Sequence, residues 1–439
     1  MTILKAFSCI CLVLIITACD SQSPPSTSES VDVISPTPTE MKQETSAPTT
    51  ELTIDSSNPE PSPTATLVEK EITFEKTVGG SRRDRGINLL QTQDGGYAIV
   101  GYTSSMDAEQ EDVYLVRTDP LGDVIWSMIY GGEGKDNGWD VLELEDGGFL
   151  IVGFTDSFGA GEMDIYLIRT DDLGNLLWER TFGGPRSEYG WAMAPTSDGG
   201  FVLAGQSTSY GEGAEDGYLV KVNAQGEEIW SQTFGGPFED RLFSVDQSAD
   251  SGFVLTGTTT SFGSGNREAY LVKASETGDL VWTQVFGEEQ DDVGHSVRQT
   301  SDRGFIVTGY TKSFDANNYD TWLIKTDEAG ELQWQKFYGE SGDDRTIYGE
   351  QTDDGGYIMT GYTTGYDSVG WDVFLVRADS SGAVIWLRTF GGIADDTGYT
   401  VRQTSDGGFI LTGETYSSGK GGGDMYVIKV NQDGDIIEP

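Results

Sequence analysis

The stretch DGGFLIVGFT, residues 146–155, decides the fold. Asp146-Gly147-Gly148 is turn chemistry, because Gly adopts the positive φ that tight hairpin turns require. The β-branched and aromatic run behind it reads as a strand. The phrase returns in near copy as DGGYAIVGYT, DGGFVLAGQS, DSGFVLTGTT, DRGFIVTGYT, DGGYIMTGYT and DGGFILTGET. Its leading acids are Asp94, Asp146, Asp198, Asp250, Asp302, Asp354 and Asp406, so every step is 52 residues. Working outward, Trp126, Trp178, Trp230, Trp282, Trp334 and Trp386 keep the same step, with Phe74 one step before the first and Glu438 in the slot after the last. Seven units result, without insertion: 75–126, 127–178, 179–230, 231–282, 283–334, 335–386 and 387–438.

In unit 387–438, YTVRQT (399–404) reads as a strand, 405–408 as a tight turn, FILTGET (409–415) as a second strand and YSSGKGGG (416–423) as a loop. DMYVIKVN (424–431) is a third strand, and Gln432-Asp433-Gly434 turns the chain toward a fourth. Several strands are apolar on both faces, as expected of strands packed between two layers. Four antiparallel strands repeated seven times predict an all-β, seven-bladed β-propeller. A linear solenoid would need polar capping repeats. The last fourth strand stops early, at DIIEP, whereas EITFEKTVGG (71–80) carries the fourth-strand register. The N-terminal strand is therefore expected to complete the last blade.

The pattern W-x-x-x-[FY]-G-G-x-x-x-D-x-G, an apolar strand, D-G-G, strand-G-x-T, D-x-Y-[LV]-[IV]-[KR] and D-x-x-G resembles the seven-bladed β-propeller repeat of bacterial surface and secreted proteins. The resemblance spans about 71–439 and implies architecture, while saying almost nothing about activity. At the other end, MTILKAFSCICLVLIITAC has one base and a short apolar stretch, suited to a secretory signal. Its Ile16-Thr17-Ala18-Cys19 resembles the lipobox of bacterial lipoproteins, which implies a signal peptide over 1–18 and a lipidated Cys19. Palmitate-type acyl chains would then anchor the chain on the extracytoplasmic side of a bacterial membrane. Residues 19–70 follow as a tether. Positions 20–70 hold 19 Ser/Thr, eight of the chain's 13 prolines and no aromatic residue, a composition that cannot bury enough surface to offset its ordering entropy. The propeller occupies 71–439.

With 72 acids against 27 bases, the net charge of −45 excludes nucleic acid and disfavours anionic lipid headgroups. All three cysteines lie within the first 19 residues and His295 is the one histidine, so zinc sites and Ser-His or Cys-His catalysis lose most of their raw material. No cofactor motif or phosphate loop is present, and no cofactor is expected. The crossover acids Asp84, Asp136, Glu188, Asp240, Asp292, Asp344 and Asp396 read as structural acceptors for crossover amides or bases, with weak calcium binding as the alternative. The Trp series reads as a wedge between neighbouring sheets.

Function on such a scaffold is expected on the longer, variable loops joining the second and third strands, and at the adjacent channel mouth. There the units differ, placing Ile87, Trp139, Trp191, Phe243, His295, Ile347 and Tyr399 at equivalent positions. Trp139, Trp191, Phe243, His295 and Tyr399 are the candidate ligand-binding residues, a platform able to stack on sugar rings. The alternative is that they are inter-blade core. The expected function is a monomeric, non-catalytic binding or scaffold module for polysaccharide, peptide or a surface protein. A cell-envelope glycoside hydrolase would need a carboxylate pair, for which Asp140, Asp246 and Glu350 are the unit-specific candidates.

Overall fold

The computed structural model describes residues 72–106, 108, 110–314 and 318–437. The proposed signal peptide, Cys19 and the tether lie outside them. The described residues form seven four-stranded antiparallel sheets, arranged as a seven-bladed β-propeller. The first blade comprises Asp84–Gln91, Tyr97–Thr103, Asp112–Thr118 and Val124–Tyr130, from inner to outer strand. The seventh comprises Asp396–Gln403, Phe409–Thr415 and Asp424–Val430, closed by Phe74–Val78 as its outer strand. That strand pairs antiparallel with the last, from Phe74 against Lys429 to Val78 against Met425. Residues 435–437 form no strand, because the N-terminal segment holds their place.

Two sequence boundaries shift. The inner strand of the seventh blade begins at Asp396, three residues before the expected Tyr399, and Asn431 lies beyond the third strand. The first six units begin within the outer strand of one blade and finish within that of the next, while the last begins at 387 within an outer strand and ends outside the described residues.

The core is distributed. Seven clusters of buried apolar side chains each combine two neighbouring blades. Second and third strands are buried along most of their length, which accounts for their apolar character on both faces. Each outer-strand Trp lies over the next blade's third-to-fourth turn, at a Gly whose φ is positive. A Cβ at Gly174 would lie 2.8 Å from the Trp126 ring, and one at Gly278 2.8 Å from Trp230. Phe74 does the same for Gly122, at 2.6 Å. The wedge therefore requires both the large ring and a residue with no side chain beneath it.

The repeated Asp of the opening phrase bonds at the turn face. Asp198 Oδ1 accepts from Thr196 Oγ1 at 2.5 Å, from the Gly200 amide at 3.1 Å and from Lys221 Nζ at 2.9 Å. The Thr196 hydroxyl and the Lys221 ammonium together hold its carboxyl down to about 2. The same pairing joins Asp94 to Arg117, Asp146 to Arg169, Asp250 to Lys273, Asp302 to Lys325, Asp354 to Arg377 and Asp406 to Lys429. In two blades the Gly after this Asp is replaced, and Ser251 (φ 65°) and Arg303 (φ 69°) are held in the left-handed region. Each costs roughly 1–2 kcal/mol that Gly would avoid.

The crossover acids, at the opposite face, accept from crossover amides, as at Gly132 N to Asp136 (2.8 Å) and Gly392 N to Asp396 (2.9 Å). Hydroxyls at the end of the second strand complete the cage, as with Ser157 Oγ at 2.7 Å from Asp136. Among the described residues, no group of three or more His, Cys, Asp or Glu is arranged to hold a metal ion.

Candidate functional site

The site begins with a backbone irregularity. In every inner strand the ladder to the second strand skips one residue: Gly138 pairs with Gly153 and Asp140 with Val152, leaving Trp139 unpaired. The skipped residues are Ile87, Trp139, Trp191, Phe243, His295, Ile347 and Tyr399. A bulge re-aims one side chain without disturbing the rest of a strand. Repeated seven times around a ring, it produces a collar, and all seven side chains line one cavity of about 220 Å³ in the channel.

The collar is predominantly aromatic. Trp139 and Trp191 meet edge to face with centroids 4.4 Å apart, and Phe243 stacks on His295 at 5.0 Å. Tyr189 lies parallel to Trp191 at 5.4 Å, and the Trp191 indole N–H donates to Gln206 Oε1 at 3.1 Å. The Arg85 guanidinium sits 5.0 Å from the Tyr399 centroid. Burial, then the positive charges of Arg267 and Arg345, push His295 down to about 4, so it is neutral at pH 7. The rings are only partly buried. They therefore pack on one another and still present surface to the cavity.

Behind the collar stands a second circle that sequence reasoning missed. Phe154 lies 5.5 Å from Trp191, and Tyr310 lies 5.5 Å from His295. Arg345 lies 3.9 Å from the Tyr319 centroid, and Tyr362 stacks on Trp371 at 4.9 Å. The sequence signal was the variable second-strand column Tyr102, Phe154, Gln206, Thr258, Tyr310, Tyr362 and Glu414.

Below the collar, the inner strands are sheet edges whose outward amides need acceptors. The three unit-specific acids supply them from the preceding blade. Asp140 accepts from the Met193 amide at 2.9 Å, and also from Asn88 Nδ2 at 2.8 Å and the Val141 amide at 2.9 Å. Asp246 accepts from the Gln299 amide at 2.9 Å. Glu350 accepts from the Gln403 amide at 3.0 Å and pairs with Arg402 at 2.9 Å. Burial pushes the Glu350 carboxyl up to about 7 and raises that of Asp140. Each acid thus has an architectural partner, and Asp140 has three.

The likeness to solved structures is a likeness of fold. No protein-family model matches the chain. It is similar to the regulatory protein FlaEY of Caulobacter vibrioides, 26% identical over 205 residues, covering 40% of this chain and 21% of FlaEY. Among solved structures it is similar to the Neurospora crassa Pan2 WD40 domain, with TM-score 0.50 and 10% identity, covering 82% of this chain and 95% of that one. It is also similar to puromycin hydrolase, with TM-score 0.51 and 14% identity, covering 80% of this chain and 52% of that one.

Proposed function

We propose that this chain is a non-catalytic binding propeller of the cell envelope, tethered through Cys19, with a polysaccharide held at the aromatic collar. The observation that carries the reading is the cavity ringed by bulged side chains, five of them aromatic or His. Flat apolar faces flanked by polar side chains suit sugar rings, whose own faces are apolar. The hydrolase alternative has a carboxyl in the general-acid range at Glu350, but all three of its candidate acids are engaged as acceptors for neighbouring strands, which favours the binding reading.

The test is a glycan and peptide array probed with the full chain, with and without calcium, followed by titration of the best ligand. Trp139→Ala and Trp191→Ala are each expected to weaken binding about tenfold or more, as central aromatic anchors do, with a small change in thermal midpoint. Loss of stability with no loss of binding would return these rings to the core. Anchoring is checked separately: Cys19→Ser should move the chain from the membrane to the soluble fraction and abolish palmitate labelling. Retention of both in that variant refutes the anchor.

A further inference from the structure

Inner-strand residues three positions after the bulge form a second variable column, Leu90, Leu142, Ala194, Asp246, Arg298, Glu350 and Arg402. The last four place two guanidiniums and two carboxyls in one half of the channel wall. The two arginines differ in their partners. Arg402 pairs with Glu350 at 2.9 Å. Arg298 donates through Nη1 to Ser244 Oγ at 3.2 Å and to the Val297 and Val245 carbonyls at 2.8 and 3.4 Å. Among the described residues it forms no ion pair within hydrogen-bond reach; it lies 5.3 Å from the Tyr348 ring and within electrostatic range of Glu350 and Asp140. Arg402, from the blade on the other side of Tyr348, lies 4.5 Å from the same ring.

Position makes this charge useful. Arg298 lines both the aromatic cavity and the space bordered by Asp246 and Glu350, so it stands at the base of the collar. We propose that the cavity takes the terminal hexuronate of an otherwise neutral polysaccharide, its ring against the collar and its single carboxylate on Arg298, because a net charge of −45 repels a polyanion. This rests on the polysaccharide reading above and names the sugar class.

Four observations support it. At about 220 Å³ the cavity falls below the roughly 300–1,000 Å³ of sites for drug-sized ligands and suits one sugar ring. Arg298 feels the charges of Glu350 and Asp140 but is hydrogen-bonded to neither, which leaves its remaining N–H groups for a bidentate contact with an incoming carboxylate. Burial, then the nearby Arg298 charge, pull Arg402 down to about 9 against the opposing charges of Asp140 and Asp246, and Glu350 pairs with Arg402 and not with Arg298. A peptide end would need free backbone partners, whereas the inner-edge amides of Met193, Val297, Gln299 and Gln403 already have acceptors.

The probes are a tetrasaccharide ending in glucuronate, its carboxyl-reduced counterpart, and a peptide with a free carboxyl terminus, each titrated calorimetrically against the full chain. The uronate should bind at least tenfold more tightly than the reduced sugar, with an advantage that shrinks in high salt. Arg298→Gln should abolish that advantage while leaving affinity for the reduced sugar unchanged; Arg298→Lys should restore part of it. The thermal midpoint of each variant checks that it folds. Equal affinity for the two sugars, both lost in Trp191→Ala, would overturn the role of Arg298 and leave the aromatic platform standing. Preference for the peptide would overturn the sugar assignment, and binding of none of the three would overturn both readings.

Discussion

Deletion of residues 71–80 is expected to destabilise the whole propeller, lowering its main unfolding transition by 10 °C or more. The segment contributes five ladder pairs to the seventh blade. It also supplies the buried Phe74, which belongs to the apolar cluster joining the first and last blades. Polar contacts reinforce the seam: Tyr426 Oη donates to Glu75 at 2.5 Å, Lys76 pairs with Asp123 at 2.6 Å, and the Ile437 amide donates to Thr73 Oγ1 at 2.8 Å. Truncating a buried Phe to Ala alone typically costs about 3–5 kcal/mol, against a total stability of roughly 5–15 kcal/mol. Removal would also expose the edge of Asp424–Val430, a strand buried along its whole length. Calorimetry and tryptophan fluorescence should shift together. An unchanged main transition with a small separate loss would mean that the clasp is merely local.

Asp292→Ala should cost about 3 kcal/mol or more. The carboxylate is fully buried. Its Oδ2 accepts from the Glu288 amide at 3.0 Å and from Ser313 Oγ at 2.7 Å, while Oδ1 accepts from Thr311 Oγ1. The substitution strands three donors, and each unsatisfied buried group costs about 1–3 kcal/mol. Urea denaturation measures the loss, and a difference below 1 kcal/mol would sink the acceptor role. The same experiment separates this role from calcium binding. If amides and hydroxyls are the partners, EDTA leaves the wild-type midpoint unmoved; a fall in that midpoint would instead assign the crossover acids to a cation.

The ring, its seven sectors and its closure were legible because they rest on short-range chemistry copied at a fixed interval. Asp-Gly-Gly and Asp-x-x-Gly specify turns wherever they stand, and a single period carries one blade's reading to all seven. The Trp wedge was legible for the same reason, although its landing on a turn Gly one blade away was not. The collar was found as a variable column, yet its orientation depended on a bulge, which arises from a mismatch between two strands and leaves no mark of its own in one. Asp140, Asp246 and Glu350 stood out as unit-specific acids, but their amide partners lie 53 residues further along, on another blade. Arg298 went unnoticed because a base is remarkable only once its surroundings show whether a carboxylate answers it.

The strand Phe74–Val78 has one more effect, on timing. It is made well before the strand it pairs with, so on a ribosome adding roughly 5–20 residues per second it waits from about twenty seconds to over a minute for its partner. Throughout that interval the propeller is an arc with an unpaired margin at each end, and circularity arrives only once Asp424–Val430 has been made. A chaperone that shields exposed strand margins would matter most in this window. Messages cut short upstream of Asp424 would yield products that can never finish.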